Sequence, residues 1–418
     1  MKKILLGIFI LLVAISMVAG SLVGCGTKTS STTATTASTT APLKEATITI
    51  GVDTPLTGPA APWGLGVMHG VTLAFDDANA AGGLTIGNTH YTFTVEALDD
   101  KYDTATTTNN IREMINSGTK FIFTFQTEGT LALNETLSQN KVLSFTVVND
   151  DSVISQPYTF RAADPIALQS DGYWQWIAQN HPGAKTVIIL TTNNTNGEIL
   201  EAATKTGCQA NNLTYLDGIL YDAGTTDFTP YVTKIVAEKP DIINLTGTPT
   251  GDCADIIKTL YGMGYKGLIC TGTVAAADML SIAGQDALEG VIDTQLSMQP
   301  PYVTSTVLAL PDREVAKWGA AYGLTWDLYS QATIMFEAMQ RANSVDPTVV
   351  KNMLQDSTQK WPFAAITGGV SAFDTPVAQA LFGANATNQI FSPWPICVIH
   401  NGQDVVATII QPPGATTK

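Results

Sequence analysis

The chain has 418 residues and a formal net charge of −15, from 36 acidic and 21 basic side chains. A body this acidic repels polyanions, so nucleic acid and anionic lipid headgroups are excluded as partners. Its length exceeds what one hydrophobic core usually supports, and two lobes of roughly 100 to 200 residues each are expected.

In chain order, Lys2 and Lys3 precede an apolar run over 4–18, and small residues lead to Cys25. This is the layout of an export signal, which is removed and so is not a membrane span. Leu22-Val23-Gly24-Cys25 resembles a bacterial lipobox, which implies cleavage after Gly24 and a lipid on Cys25. Residues 1–24 are therefore expected to be a signal peptide, and 25–43 the lipidated cysteine with a Ser/Thr/Ala-rich tether, too polar and uniform to bury a core. Loss of Lys2 and Lys3 takes the formal charge from −15 to −17, and only the lipid should touch the bilayer. The expected place is the extracytoplasmic face of a membrane, in a periplasm or at the cell surface.

Beyond the tether, short apolar strands alternate with amphipathic helices. A strand over 47–52 leads to a helix carrying Met68, Val71, Phe75 and Ala78, which Gly82-Gly83 stops. Strands follow over 93–98, 120–125 and 142–147, with helices near 104–116 and 130–139 between them. The rhythm restarts after Asp164-Pro165, with an aromatic-rich helix bearing Tyr173, Trp174 and Trp176. Strands at 186–190, 213–220, 241–245 and 268–271 then alternate with helices near 197–210, 228–238 and 253–261. Two such runs predict two parallel sheets. The tail predicts helices over 312–322, 326–341 and 347–354, and a hairpin around Asn401-Gly402.

Motifs for chemistry are missing. His69, His90, His181 and His400 are far apart with no ligand-like neighbour, so no metal is expected. There is no G-x-S-x-G, no H-E-x-x-H and no phosphate loop, and no cofactor is expected. Gly262-Met263-Gly264-Tyr265-Lys266-Gly267 fits G-x-G-x-x-G, but it lies between a helix and a strand, where glycines end a helix. Four cysteines besides Cys25 allow three pairings in an exported chain. Cys253 at a helix start and Cys270 at a strand end both fall at the carboxyl edge of one sheet, which makes them a candidate disulfide. Four buried free thiols are the alternative.

Ile50-Gly51-Val52, Pro55-Leu56-Thr57-Gly58-Pro59, Trp63-Gly64, Asp77-Ala78-Asn79, Gly82-Gly83, Asp99-Asp100, Phe160-Arg161, Gly197-Glu198, Asp227-Phe228 and Gly264-Tyr265 form an ordered series. With the run from Ala283 through Gly290, the series resembles the solute-binding proteins of branched-chain amino acid ABC importers. The resemblance implies an α/β, two-lobed type I periplasmic-binding fold. Each lobe would be a mainly parallel sheet flanked by helices, with three crossovers between lobes. Lobe I would take 44–163 plus 291–385, and lobe II 164–290 plus 386–418. It further implies a monomeric, non-enzymatic receptor that holds a small molecule between the lobes and passes it to a membrane permease. The alternative is a ligand sensor of the same fold that signals to a membrane partner.

Carried over residue by residue, Trp63 falls on the family's aromatic cleft wall. Thr127, Glu128, Gly129 and Thr130 fall on a serine-rich loop that holds a carboxylate, and Glu128 departs from that pattern. Asn149 and Asp150 fall where the family has a small residue and a threonine, and Asn196 replaces an aromatic contact. Gly272 stands where amino-acid binders keep an acid for the α-ammonium. With that acid gone, Glu128 and Asp150 are the expected substitutes. The expected ligand has an apolar body and hydrogen-bond donors: an amino acid bound in altered fashion, or an amide.

Overall fold

In a computed structural model, residues 42–161, 165–295, 301–367, 369–373 and 375–411 are described. The expected signal peptide, Cys25 and the tether through residue 41 lie outside the described residues.

The first sheet grows from Lys44–Thr54 (β1), whose Ile50 and Val52 have no exposed surface. Helix α1, Ala61–Ala80, crosses to Leu84–Ile86 (β2) and Thr89–Asp99 (β3). Then come α2 at Thr104–Asn116, β4 at Phe121–Thr124, α3 at Thr127–Gln139, β5 at Leu143–Thr146 and β6 at Thr159–Arg161. The strand order is β2-β3-β1-β4-β5-β6, parallel except for the β2–β3 hairpin.

The second sheet follows the same logic. Its elements are α4 at Ile166–Asn180, β7 at Thr186–Thr192, α5 at Thr195–Ala210, β8 at Thr214–Tyr221, α6 at Thr229–Glu238 and β9 at Ile242–Asn244. Next are α7 at Thr250–Gly262, β10 at Leu268–Cys270, α8 at Ala276–Ala283, α9 at Gln285–Leu288 and β11 at Ile292–Asp293. The chain then returns to the first lobe through α10 at Ser305–Leu308, α11 at Leu310–Trp318, α12 at Thr325–Ala342 and α13 at Pro347–Leu354. A small antiparallel sheet of β12 (Trp361–Pro362), β13 (Val370–Phe373) and β14 (Ile390–Phe391) follows, with α14 at Thr375–Phe382 between its last two strands. Finally β15, Trp394–His400, and β16, Gln403–Ile410, complete the second sheet in the order β16-β15-β11-β10-β9-β7-β8. Their turn has positive φ at both Asn401 (53°) and Gly402 (74°), as a two-residue hairpin of this twist requires.

Strand membership differs from the expected boundaries at two points. Ile292–Asp293 pairs with the second sheet, and Ile390–Phe391 pairs with Phe373 of the small sheet, which packs in the first lobe's core. Helix α12 lies close against α1: a Cβ on Gly70 would fall 2.4 Å from the Thr325 carbonyl. That contact seats the α12 N-terminus at the inner edge of the lobe.

Cys208, Cys253 and Cys270 are buried free thiols, so the Cys253–Cys270 bond is not formed. The reason is that Cys253 sits on α7, which covers one face of the sheet, while the alternation of β10 turns Cys270 to the other. Cys253 packs in the core on one face of the second sheet, whereas Cys270 packs with Tyr173, Trp174 and Cys208 on the other. Burial pushes the Cys208 and Cys270 thiols up to about 12.

A buried acid pair sits under α2. Asp53 accepts from Asn110 Nδ2 at 2.9 Å, and it and Asp100 are fully buried, each with an Oδ2 that no described residue meets. Burial, and then the neighbouring Asp100, raise Asp53 to about 8. Folded Asp53 therefore keeps its proton while the unfolded carboxyl, near 3.8, gives it up, so stability falls as pH rises from about 4 to about 8. Asp53→Asn is expected to raise stability at pH 8 by roughly 2 kcal/mol or more, with the gain vanishing near pH 4. Thermal melts at the two pH values check this, and equal shifts at both would contradict it.

Candidate ligand-binding site

The carboxyl ends of both sheets face each other across a cavity of about 200 Å³. The first lobe supplies Trp63 from α1, Tyr102 after β3, Phe125 after β4, Thr127 from α3 and Asn149 after β5. The second supplies Tyr173 and Trp174 from α4, Asn196 from α5, and Thr246, Gly272 and Thr273 from the loops after β9 and β10. Trp326 and Asp327, in the first turn of α12, close one side with Phe363. Aromatic rings stand in the walls among threonine and asparagine side chains: Trp63, Tyr102 and Phe125 lie 5.9 to 6.4 Å apart, centroid to centroid, and Trp326 meets Phe363 edge to face at 6.1 Å. Among the described residues no Lys, Arg or His lines the cavity, and Asp327 is the sole carboxylate that does. No group of three His, Cys, Asp or Glu side chains among them could hold a metal ion.

The lobes touch through specific hydrogen bonds. Trp63 Nε1 donates to the Thr273 carbonyl at 2.9 Å, and Asn149 Nδ2 donates to Asn196 Oδ1 at 2.8 Å. Glu128 Oε1 accepts from the Thr195 amide at 2.8 Å, so a first-lobe carboxylate sits on the N-terminus of second-lobe helix α5. This is where the backbone dipole and unpaired N–H groups favour a negative charge. Glu128 Oε2 also accepts from Gln126 Nε2, and Gln126 Oε1 accepts from the Gly129 amide at 2.5 Å. In α5 itself, Asn194 Oδ1 accepts from the Gly197 amide at 2.8 Å. Burial, and then the Glu128 carboxylate, hold the Tyr102 phenol protonated. Burial raises Asp327 to about 7 against the opposing effect of Gln331, whose Nε2 donates to it at 3.3 Å.

Of the residues expected in the site, Trp63, Thr127, Asn149, Asn196 and Gly272 line the cavity, and Glu128, Gly129, Thr130 and Asp150 do not. The expected loop at 126–130 is instead the start of α3, with Gln126 as its cap. That start turns Glu128 toward α5 and buries Thr130, whose hydroxyl bonds back to the Gln126 carbonyl at 2.7 Å. Asp150 caps the short helical turn Asp151–Ser155 by accepting from the Ser152 amide at 2.8 Å. Neither acid is thus placed to replace the missing partner at Gly272. Sequence reading passed over Tyr102, Trp326, Asp327 and Phe363. Trp326-Asp327 at a helix start was the available signal, but an acid in a first turn is ordinary there.

Glu128→Gln is expected to weaken the lobe contact by about 1 kcal/mol, because a neutral acceptor replaces a charged one. The measurable outcome is about fivefold weaker ligand binding by calorimetry; an unchanged affinity would show that the contact does not favour closure.

The sequence profile of the periplasmic binding protein family matches residues 47–402. A Leu/Ile/Val-binding protein, BraC3 of Rhizobium johnstonii, is 26% identical over 325 residues, 76% of this chain and 86% of that one. In solved structures, the leucine binding protein LivK of Thermotoga maritima superposes with a TM-score of 0.73 at 19% identity, over 87% of this chain and 99% of that one. A solute-binding protein of an ABC transporter from R. palustris, in complex with 4-hydroxybenzoate, superposes at 0.71 and 19% identity, over 88% and 98%. These are binding proteins of the same two-lobed type I fold. No helix among the described residues is long and apolar enough to cross a membrane. With its two parallel-rich sheets and the cavity between them, the chain belongs to the periplasmic binding protein family.

Proposed function

We propose that this protein is a lipid-anchored extracytoplasmic receptor of an ABC importer, which captures a small amino-acid-like or amide ligand between its lobes and delivers it to a membrane permease. The observation that carries the reading is the aromatic-walled cavity shared by both lobes, whose rims already meet through Trp63–Thr273 and Asn149–Asn196. Trp63, Thr127, Asn149, Asn196 and Gly272 form the ligand surface in this reading. Lobe I is built on the β2-β3-β1-β4-β5-β6 sheet and lobe II on the β16-β15-β11-β10-β9-β7-β8 sheet in this reading.

A ligand that touches both lobes favours the closed form by its differential affinity, and about 5.5 kcal/mol takes a closed population from 1% to 99%. Closure then marks the loaded receptor for its membrane partner. Cys25 would carry the lipid, and the polar tract behind it would leave the body free to tumble near the bilayer. Two measurements test this. Native mass spectrometry of protein purified from its own membrane should show one bound small molecule released by denaturation. Radiolabelled palmitate should enter the protein but not Cys25→Ala. A chain that carries neither ligand nor acyl group would overturn the proposal.

A further inference from the structure

Resting on that receptor reading, we infer that the cleft is built for an organic amine without a free carboxylate, with Asp327 as the counter-charge to its ammonium. Three independent features of the cavity lead there.

The first is the fate of the anion positions. A carboxylate entering this cleft is held most strongly by a cation or an open helix N-terminus. No Lys, Arg or His among the described residues lines the wall. The N-termini of α3 and α5 both border the cavity, and both are closed by the protein's own side chains: Gln126 on Gly129, Glu128 on Thr195, and Asn194 on Gly197. The starts of α4 and α12 have no side-chain cap, but α12 carries the Asp327 carboxylate in its first turn, and α4 offers only backbone N–H groups and a partial charge with no cation beside them. A ligand carboxylate would also lie in one small cavity with the Asp327 carboxylate and near that of Glu128, which disfavours it further.

The second is Asp327 itself. It lies in a turn of α12 fixed by packing on α1, beside Trp326, and faces the cavity while accepting a long hydrogen bond from Gln331. Desolvation without a cation leaves this carboxyl well above the usual carboxylate range. An ammonium would supply the missing charge.

The third is the remaining wall. Trp63, Tyr102, Phe125, Trp326, Phe363 and Trp394 present rings to the cleft, which attract both an apolar body and the face-on approach of a cation. Such a wall holds the carbon part of an amine while Asp327 holds its nitrogen.

Matched probes differing by one group test the inference. Calorimetry on purified protein compares 3-methylbutylamine with leucine, and 2-phenylethylamine with phenylalanine. At least one amine is expected to bind ten times or more tightly than its amino acid. Asp327→Asn, which keeps the shape, is expected to weaken that amine at least tenfold while melting at the same temperature or higher. The inference is overturned if the amino acid of each pair binds as tightly as its amine or better, if no amine binds, or if Asp327→Asn leaves amine affinity within twofold. An amino acid that binds and compacts the protein would overturn this inference and leave the receptor reading standing. A probe of either kind that binds without compaction would count against the receptor reading alone.

Discussion

Gly197→Ala is expected to lower stability by about 3 kcal/mol and to weaken ligand binding at the same time. Gly197 is the third residue of α5, and a Cβ there would fall 1.8 Å from the Thr192 carbonyl oxygen. No rotamer relieves a clash with backbone, so the helix start must move away from the end of β7. That displacement strains the Asn194 cap on the Gly197 amide and the Glu128 contact on the Thr195 amide, and it shifts Asn196 at the cavity wall. Stability and site therefore fail together. The control is Gly183→Ala, where an added Cβ meets nothing within 4 Å and φ is not positive, so stability should hold or rise by a few tenths of a kcal/mol. Thermal melts and calorimetry on the two variants check the contrast; equal effects would contradict the clash.

The second large effect is expected at Arg161. Its side chain is fully buried where β6 leaves the first lobe, with Nη1 2.7 Å from Asp151 Oδ1 and 3.1 Å from the Asn149 carbonyl, and Nε donating to Gln389 at 2.5 Å. Phe382 lies 5.8 Å from the guanidinium, ring centroid to Cζ. Arg161→Ala removes charged hydrogen bonds from three directions and opens a cavity, at a loss of about 3 kcal/mol or more. Asp151 is about half exposed and can turn to water, so Asp151→Ala should lose under about 1 kcal/mol. The functional consequence follows from Asn149, whose carbonyl Arg161 holds and whose side chain bridges to Asn196 across the cleft. Ligand binding in Arg161→Ala should thus fall even at temperatures where the variant stays folded. A variant as stable as the parent would refute this role.

Much of the architecture was legible because each apolar run matched one element. Helix α2 falls on the expected 104–116, with Asp103 accepting from the Thr106 amide as an acid in that position should. The hairpin at Asn401-Gly402 was equally plain, because its turn needs positive φ twice. The two-residue strands β11, β12 and β14 were not legible: they are too short to display a period, and sheet membership alone assigns them to a lobe. The site was read unevenly for related reasons. Trp63 stood out in a glycine-rich start of α1, but the beginning of α3 was placed three residues late because glutamine is an uncommon cap. That shift hid the orientation of Glu128. Asp327 enters the cleft through the packing of α12 on α1, from a point in sequence more than 250 residues after Trp63, and no local pattern announces such a meeting. The cysteines illustrate the same limit: both sit at one sheet edge, yet Cys253 on α7 packs against one face while the alternation of β10 turns Cys270 to the other.

The central claim is that a small molecule draws two hinged lobes together, and small-angle scattering measures that motion directly. Purified protein freed of bound molecules should give a smaller radius of gyration once saturated with a ligand proven by calorimetry, and Gly197→Ala should show less of the change. An identical radius with and without saturating ligand would contradict the account.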